Sequence, residues 1–126
     1  MELTVFSIDK GSDLHTLAKF LRHVDTQQAM GKLMGPVQLA IGSWQGVLEH
    51  SFIMLSEDFK RHIKGSGYVS SQDCVLLISS DTRQPVILQD LQSGERAKLG
   101  KLRGGKGPSD FTYALSTGEY FHVSPD

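Results

Sequence analysis

Two acids at the starts of apolar runs are the residues of this sequence best placed for chemistry. Glu49 follows Gly42-Ser43-Trp44-Gln45-Gly46-Val47-Leu48, which reads as a tight turn between two apolar strands, and Asp73 leads into Cys74-Val75-Leu76-Leu77-Ile78. A carboxylate among apolar neighbours must be solvated, paired or matched to a cationic ligand, because burying an unpaired charge is costly. Alternation along the second strand of the hairpin puts Val47, Glu49, Ser51 and Ile53 on one face. Leu48, His50, Phe52 and Met54 fall on the other. Trp44 is the only tryptophan, and the glycines beside it, Gly42 and Gly46, let a ligand approach the backbone. An acid near an aromatic face suits a cation, by charge attraction and by cation–π contact. The same residues also fit a purely structural arrangement, with Trp44 anchoring the hairpin and Glu49 bonded to backbone amides or a lysine.

Other chemistries find less support. Gly100 to Lys106 matches the spacing of a phosphate-binding loop up to its lysine, but Gly107-Pro108 follows where a hydroxyl and a helix are required. His15, His23, His50, His62 and His122 form no zinc-binding spacing, and there is no cysteine pair, so no metal is expected. Cys74 opens a buried-type strand and reads as core, not as a nucleophile. Ser51 lacks the glycine-flanked elbow of a hydrolase. Arg96, Lys98, Lys101, Arg103 and Lys106 stand against Glu95 alone, which describes either a solvated loop or a grip on phosphates or an acidic partner. Few aromatics interleave these cations, so no stacking surface for single strands is read there and nucleic acid is not the expected partner.

The elements that must position these residues follow from periodicity and punctuation. At 126 residues the chain fits one domain, with 39% apolar and 21% charged residues, ordinary for a soluble protein. The formal net charge of -1 gives no general drive toward nucleic acid or anionic lipid. One cysteine excludes an intramolecular disulfide, Met1-Glu2-Leu3-Thr4 opens no signal peptide, and no apolar run is long enough to span a bilayer. These features point to a cytosolic protein without a membrane partner. Leu3 to Ile8 predicts a strand and Asp9-Lys10-Gly11 a turn. Ser12 is placed to cap a helix with the stripe Leu14, Leu17, Ala18, Leu21 and Val24. That helix ends near Asp25 or runs on to Met30, and a loop with apolar Met30, Leu33 and Met34 follows. Pro36 to Ile41 and Val47 to Leu55 predict the hairpin strands around a Gly42 to Gly46 turn. Ser56 then caps a short helix whose apolar face is Phe59 and Ile63. Further strands are expected at Cys74 to Ile78, Val86 to Gln89, Phe111 to Leu115 and Tyr120 to Val123, with the basic segment between the second and third of them.

Strand, helix, strand, strand, helix, strand is the order of an α+β, ferredoxin-like sandwich: an antiparallel sheet with two helices on one face. The two-sided apolar strand Val75 to Ile78 requires a cover for the second sheet face, and a partner subunit is an economical one.

The block Gly42 to Phe52 resembles a glycine-x-aromatic-x-glycine-x-x-acid-x-serine-aromatic pattern of the phage S-adenosylmethionine hydrolases, now understood as lyases. Gln72-Asp73-Cys74-Val75-Leu76-Leu77 resembles their Gln-acid-x-Val-Leu block, and Phe111 to Val123 is similar to their C-terminal hairpin. The resemblance implies a ferredoxin-like, PII-like subunit forming a homotrimer in the host bacterial cytoplasm, with active sites between subunits. It implies cleavage of S-adenosylmethionine to 5'-methylthioadenosine and homoserine lactone without a cofactor, which depletes the methyl donor and counters host restriction–modification. It implies catalytic roles for Glu49, on the substrate ammonium, and for Asp73, on ribose hydroxyls or the charge of the site. Substrate contacts are implied for Trp44, Gly46, Ser51 and Gln72. Trp44 occupies a position where the family carries tyrosine, and Asp73 one where it carries glutamate. Two other readings stay open. One is a non-catalytic PII-like module binding an adenine nucleotide or related signal. The other is a phage protein that captures a host protein through Lys98 to Lys106 or Met30 to Met34.

Overall fold

Leu3, Val5 and Ser7 alternate with Thr4 and Phe6 along the first strand, and both sets of side chains find cover, which decides the architecture. In the computed structural model the described residues are 1–9, 13–81, 83–107 and 110–125, Trp44 by its backbone alone. The strands are β1 (Glu2–Ser7), β2 (Gln38–Trp44), β3 (Val47–Leu55), β4 (Cys74–Ser79), β5 (Val86–Asp90), β6 (Arg96–Gly104), β7 (Thr112–Ala114) and β8 (Glu119–Ser124). They pair antiparallel in the order β1-β3-β2-β7-β8-β6-β5-β4, and β4 pairs back onto β1, so the sheet closes into a barrel. Helix α1 (Leu14–Ala29) joins β1 to β2, and α2 (Ser56–Asp58), continued by a π-helical turn through Ile63, follows β3. Among the described residues no helix is long and apolar enough to cross a membrane.

The closed barrel overturns the ferredoxin-like, PII-like sandwich expected from element order. Strands β5 to β8, read as appendages, complete the sheet. The inward side chains of β1, β3 and β4, among them Val5, Ile53 and Ile78, pack with Val86 of β5, Leu102 of β6 and Phe121 of β8. The second face of the β4 strand is therefore covered by the chain itself, and the covering role assigned to a partner subunit is already filled. The segment Arg96 to Gly104, expected as a loop, is a nine-residue strand.

The outward faces of β1, β3 and β4 carry the second core layer, against the helices. Phe20 of α1 lies 4.6 Å from Phe52 of β3 between ring centroids, and Phe6 of β1 lies 4.8 Å from Phe59 after α2. The helix stripe is rotated from the one the spacing predicts: Phe20 and Val24 are buried, Leu17 and Leu21 pack beside them, and Leu14 is 76% exposed. Asp13 caps α1, its Oδ1 accepting from the His15 amide at 2.9 Å, while Ser12 lies outside the described residues. Ser56 does not cap α2; its hydroxyl instead shares a buried hydrogen bond of 2.8 Å with Thr4 beneath the helix. The buried carboxylate of Asp58 accepts from the amides of Met34 at 3.0 Å and Gly35 at 3.1 Å. The Met30 to Met34 segment is thereby tied to the body, although Met30 and Met34 themselves are exposed.

Closure has a tight point at the β6–β8 seam. Gly100 is buried at φ +147, and a Cβ there would overlap the carbonyl oxygen of Ser124, whereas a Cβ on Gly104 would meet nothing within 4 Å. Gly100→Ala is expected to destabilise the fold by about 2–4 kcal/mol, and Gly104→Ala, on the same strand, by less than about 1 kcal/mol. Urea denaturation of the two variants checks this, and equal midpoints would contradict the seam as drawn.

Candidate functional site

Inward-facing residues change character toward one mouth of the barrel. Val5 gives way to Ser7 in β1, Ala40 to Gly42 in β2, Ile53 to Ser51 and Glu49 in β3, and Ala114 to Thr112 in β7. The result is a cavity of ≈ 360 Å³ whose wall includes Glu49, Ser51, Gln72 and Asp73, with Phe111 and Leu88 as apolar contributions. Space within it depends on one glycine. A Cβ on Gly42 would lie 2.8 Å from Ser51 Oγ, and that hydroxyl makes a 3.0 Å hydrogen bond with Ser7 Oγ on the neighbouring strand. Gly42 thus lets a pair of hydroxyls sit inside the barrel, each satisfying the other.

Four of the six residues expected at the site meet here although they come from separate blocks. Glu49 and Asp73 are exposed at the mouth, Gln72 is half-buried, and Ser51 is buried. Gly46 does not line the cavity. It forms, with Gln45, the two-residue turn between β2 and β3, where both have positive φ (82° and 51°) and Trp44 pairs with Val47. That geometry is a type I′ turn, for which glycine is the natural second residue. Trp44 ends β2, and its side chain lies outside the described residues. Ser7, Ser43, Phe111 and Thr112 also line the cavity and were not singled out as site residues. Period-two alternation in β1, counted inward from Val5, was the available signal for Ser7.

The rim carrying Gln72 and Asp73 is held by a residue read from sequence only as part of a turn. Asp9 Oδ1 accepts from Gln72 Nε2 at 3.2 Å, and Oδ2 accepts from the Ser71 amide at 2.8 Å and from Ser70 Oγ at 2.9 Å. The Asp9 amide donates to Tyr68 O at 2.7 Å, closing the same loop onto the end of β1. Burial acts to raise the Asp9 carboxyl, but the hydrogen bonds from Ser71, Ser70 and Gln72 outweigh it and hold the pKa below the ordinary carboxylate value.

Electrostatically the cavity is acidic. Among the described residues its wall carries two carboxylates and no lysine, arginine or histidine. Cys74, also in the wall, is a poor nucleophile there: burial pushes its thiol pKa up, and the negative charges of Asp73 and Asp90 push it further. Among the described residues no group of three or more metal-ligating side chains occurs. The arrangement can bind a small cation, orient it with hydroxyls and a carboxamide, and press an apolar part of it against Phe111. Comparison of the chain with protein-family models and with curated proteins finds no match.

The Asp9 clamp has a defined pH signature. Because its carboxyl pKa is depressed in the folded state, its stabilisation is complete above the ordinary carboxylate range and is lost as pH falls through the depressed value. Asp9→Asn is expected to speed hydrogen exchange at the Ser71 amide by about tenfold or more. The stability gap between wild type and variant should be constant near neutral pH and narrow on acidification. A gap that widened in acid would contradict the clamp.

Proposed function

We propose that this protein is an S-adenosylmethionine lyase, releasing 5'-methylthioadenosine and homoserine lactone. One observation carries the reading: the two blocks that resemble the phage lyases, Gly42 to Phe52 and Gln72 to Leu77, contribute Glu49, Ser51, Gln72 and Asp73 to a single acidic cavity. Its volume of ≈ 360 Å³ falls within the roughly 300–1,000 Å³ usual for small-molecule sites. A wall with two carboxylates and, among the described residues, no cationic side chain favours a ligand bearing positive charge, and this substrate bears two, on its sulfonium and its ammonium.

The chemistry makes few demands on the protein. The substrate carboxylate attacks its own γ-carbon, the new C–O bond closes a five-membered lactone, and the Cγ–S bond breaks with its electron pair passing to sulfur. The sulfonium leaves as a neutral thioether, so no proton, metal or redox partner is consumed. What the site must supply is a folded methionine chain and a carboxylate freed from internal pairing. In this proposal Glu49 takes the ammonium, which would otherwise pair with the attacking carboxylate. Asp73 and Gln72, across β1 from Glu49 at the same mouth, take ribose hydroxyls, and Phe111 takes the apolar side of the adenine or thioether.

Purified protein incubated with S-adenosylmethionine, with products resolved by mass spectrometry, tests the proposal. Methylthioadenosine and homoserine lactone are expected. Glu49→Gln should lower kcat/KM about 10- to 100-fold, the loss of one charge-assisted hydrogen bond of ~1.5–3 kcal/mol. Homoserine formed directly, without lactone, would mean hydrolysis instead. Substrate that binds and returns intact from wild type would replace the lyase with a non-catalytic ligand-binding module.

A further inference from the structure

We propose that the outer wall of the barrel formed by β6, β8 and β7 binds single-stranded nucleic acid. Alternation sets what this wall displays. Leu102 of β6 and Phe121 and Val123 of β8 pack in the barrel core, so Lys101 and Arg103, and Tyr120 and His122, point outward. Thr112 and Ala114 of β7 are buried inward, leaving Tyr113 outward. Pairing then places Arg103 beside His122 and Tyr113 beside Tyr120, which brings cations and rings onto adjacent strands. The linear sequence keeps them apart.

The rings form one cluster. Tyr113 and Tyr120 lie 4.7 Å apart and Phe111 and Tyr120 5.4 Å apart between centroids, and Tyr120 is 40% exposed. The turn after β6 delivers a further cation to them. Gly105 donates its amide to Tyr120 O and accepts from His122 Nδ1, both at 2.9 Å, and Lys106 Nζ comes to 5.0 Å from the Phe111 centroid. Among the described residues none of Lys98, Lys101, Arg103 and Lys106 makes an ion pair. Both helices pack on β1, β3 and β4, so they leave this wall open. Of the acids close in sequence, Asp110 is half-buried, and Glu119 lines the cavity at the other mouth of the barrel, whose wall Arg103 and Tyr120 also reach.

Charge complementarity and ring chemistry together select the occupant. Lys101 and Arg103, two residues apart on one strand face, are separated by about 6.6 Å, a span comparable with that between neighbouring phosphates of one strand. They can therefore reach successive phosphates of a single strand. The rings supply stacking faces for unpaired bases, which every base accepts. A duplex hides those faces, and an acidic polypeptide would engage the cations while leaving the rings without a role. This binding uses neither carboxylate of the cavity and shares with it the ring of Phe111, so the variants that test it, at Tyr120 and Arg103, lie outside that cavity's wall.

Fluorescence anisotropy of the full chain with labelled dT12 and U12 tests it, with duplex DNA and polyglutamate as competitors. Saturable binding at 50 mM salt is expected (a working concentration of that order suits ionic contacts), weakening with added salt at a log–log slope of about -0.7 for each phosphate neutralised. Tyr120→Leu, which keeps an apolar side chain but removes the ring, should weaken binding about tenfold, and Arg103→Gln should reduce the slope by about one contact. Cross-linking of bromodeoxyuridine-substituted strands should map to the Phe111 to His122 peptide, a readout that needs no variant. No binding at low salt, affinity unchanged by Tyr120→Leu, cross-links confined elsewhere, or equal displacement by polyglutamate would each overturn the proposal. The last would assign the wall to an acidic protein.

Discussion

Burial on both faces of β4, β1 and β3 is the constraint from which the rest of this architecture follows. Val75, Leu77, Phe6, Phe52 and Met54 face outward to the helices, while Leu3, Val5, Ile53, Leu76 and Ile78 face inward. Leaving the five inward side chains in water would forgo on the order of 10 kcal/mol, comparable with the net stability of an entire domain, about 5–15 kcal/mol. A helix layer covers one face only. The inward face is covered by curling the remaining strands round it, and closure also removes the unpaired strand edges that an open sheet would expose. The same argument explains why Gly100 is exacting: at the seam the backbone of β6 approaches the Ser124 carbonyl closely enough to leave no room for a side chain.

A closed barrel of this size has an interior to fill, and the chain fills it unevenly. Aliphatic residues occupy the middle, and hydroxyls, a glycine and two carboxylates occupy one mouth. Polar groups in that position are stable only when partnered or wetted. Ser7 and Ser51 partner each other, and Glu49 and Asp73 lie where water reaches them. A ligand entering here would exchange water at the carboxylates for its own positive charge and bury its apolar part against Phe111 and Leu88. The Asp9 network adds rigidity to the loop carrying Gln72 and Asp73, which the Leu91 amide, donating to Asp73 O at 2.9 Å, joins to the end of β5 just before Cys74 pairs with Asp90.

Local structure was legible in the sequence wherever one strong signal governed it. Gln45-Gly46 marked the hairpin, though the strands run closer to the turn than the two flanking glycines imply, because Gly42 serves the interior and not the turn. The start of helix α1 was legible, but the helix runs on to Ala29, past Asp25 where its pattern breaks, and Phe20, absent from the predicted stripe, proved its centre. Convergence of Glu49, Ser51, Gln72 and Asp73 within one barrel was not legible, since nothing in their spacing joins residues on β3 to a loop before β4, and the resemblance implied sites between subunits. Closure was not legible. Strand β6 reads as a basic loop because its outward positions are cations, its inward apolar contribution to the core is Leu102, and a register shift in its pairing with β5 interrupts the alternation. Period-two patterning fails as a signal when a bulge intervenes and the outward face is built for solvent or a ligand.

The near-neutral net charge conceals a separation that only the barrel reveals. Carboxylates gather at one mouth, where strands β3 and β4 begin, while Lys98, Lys101 and Arg103 project from the wall of β6. Outward and inward positions on a strand are alternate residues, so a barrel can hold opposite chemistries a few ångströms apart in sequence and insulate them with its own core. At a Debye length of about 8 Å in physiological salt, the cations outside do little to neutralise the acids at the mouth unless their side chains reach round the rim. Lys106 is the exception, because its ammonium sits over Phe111, whose ring belongs both to the cavity wall and to the outer aromatic cluster. Any occupant of the outer wall that draws Lys106 away from that ring alters the charge at the rim, so Phe111 is the side chain through which the two surfaces would sense each other.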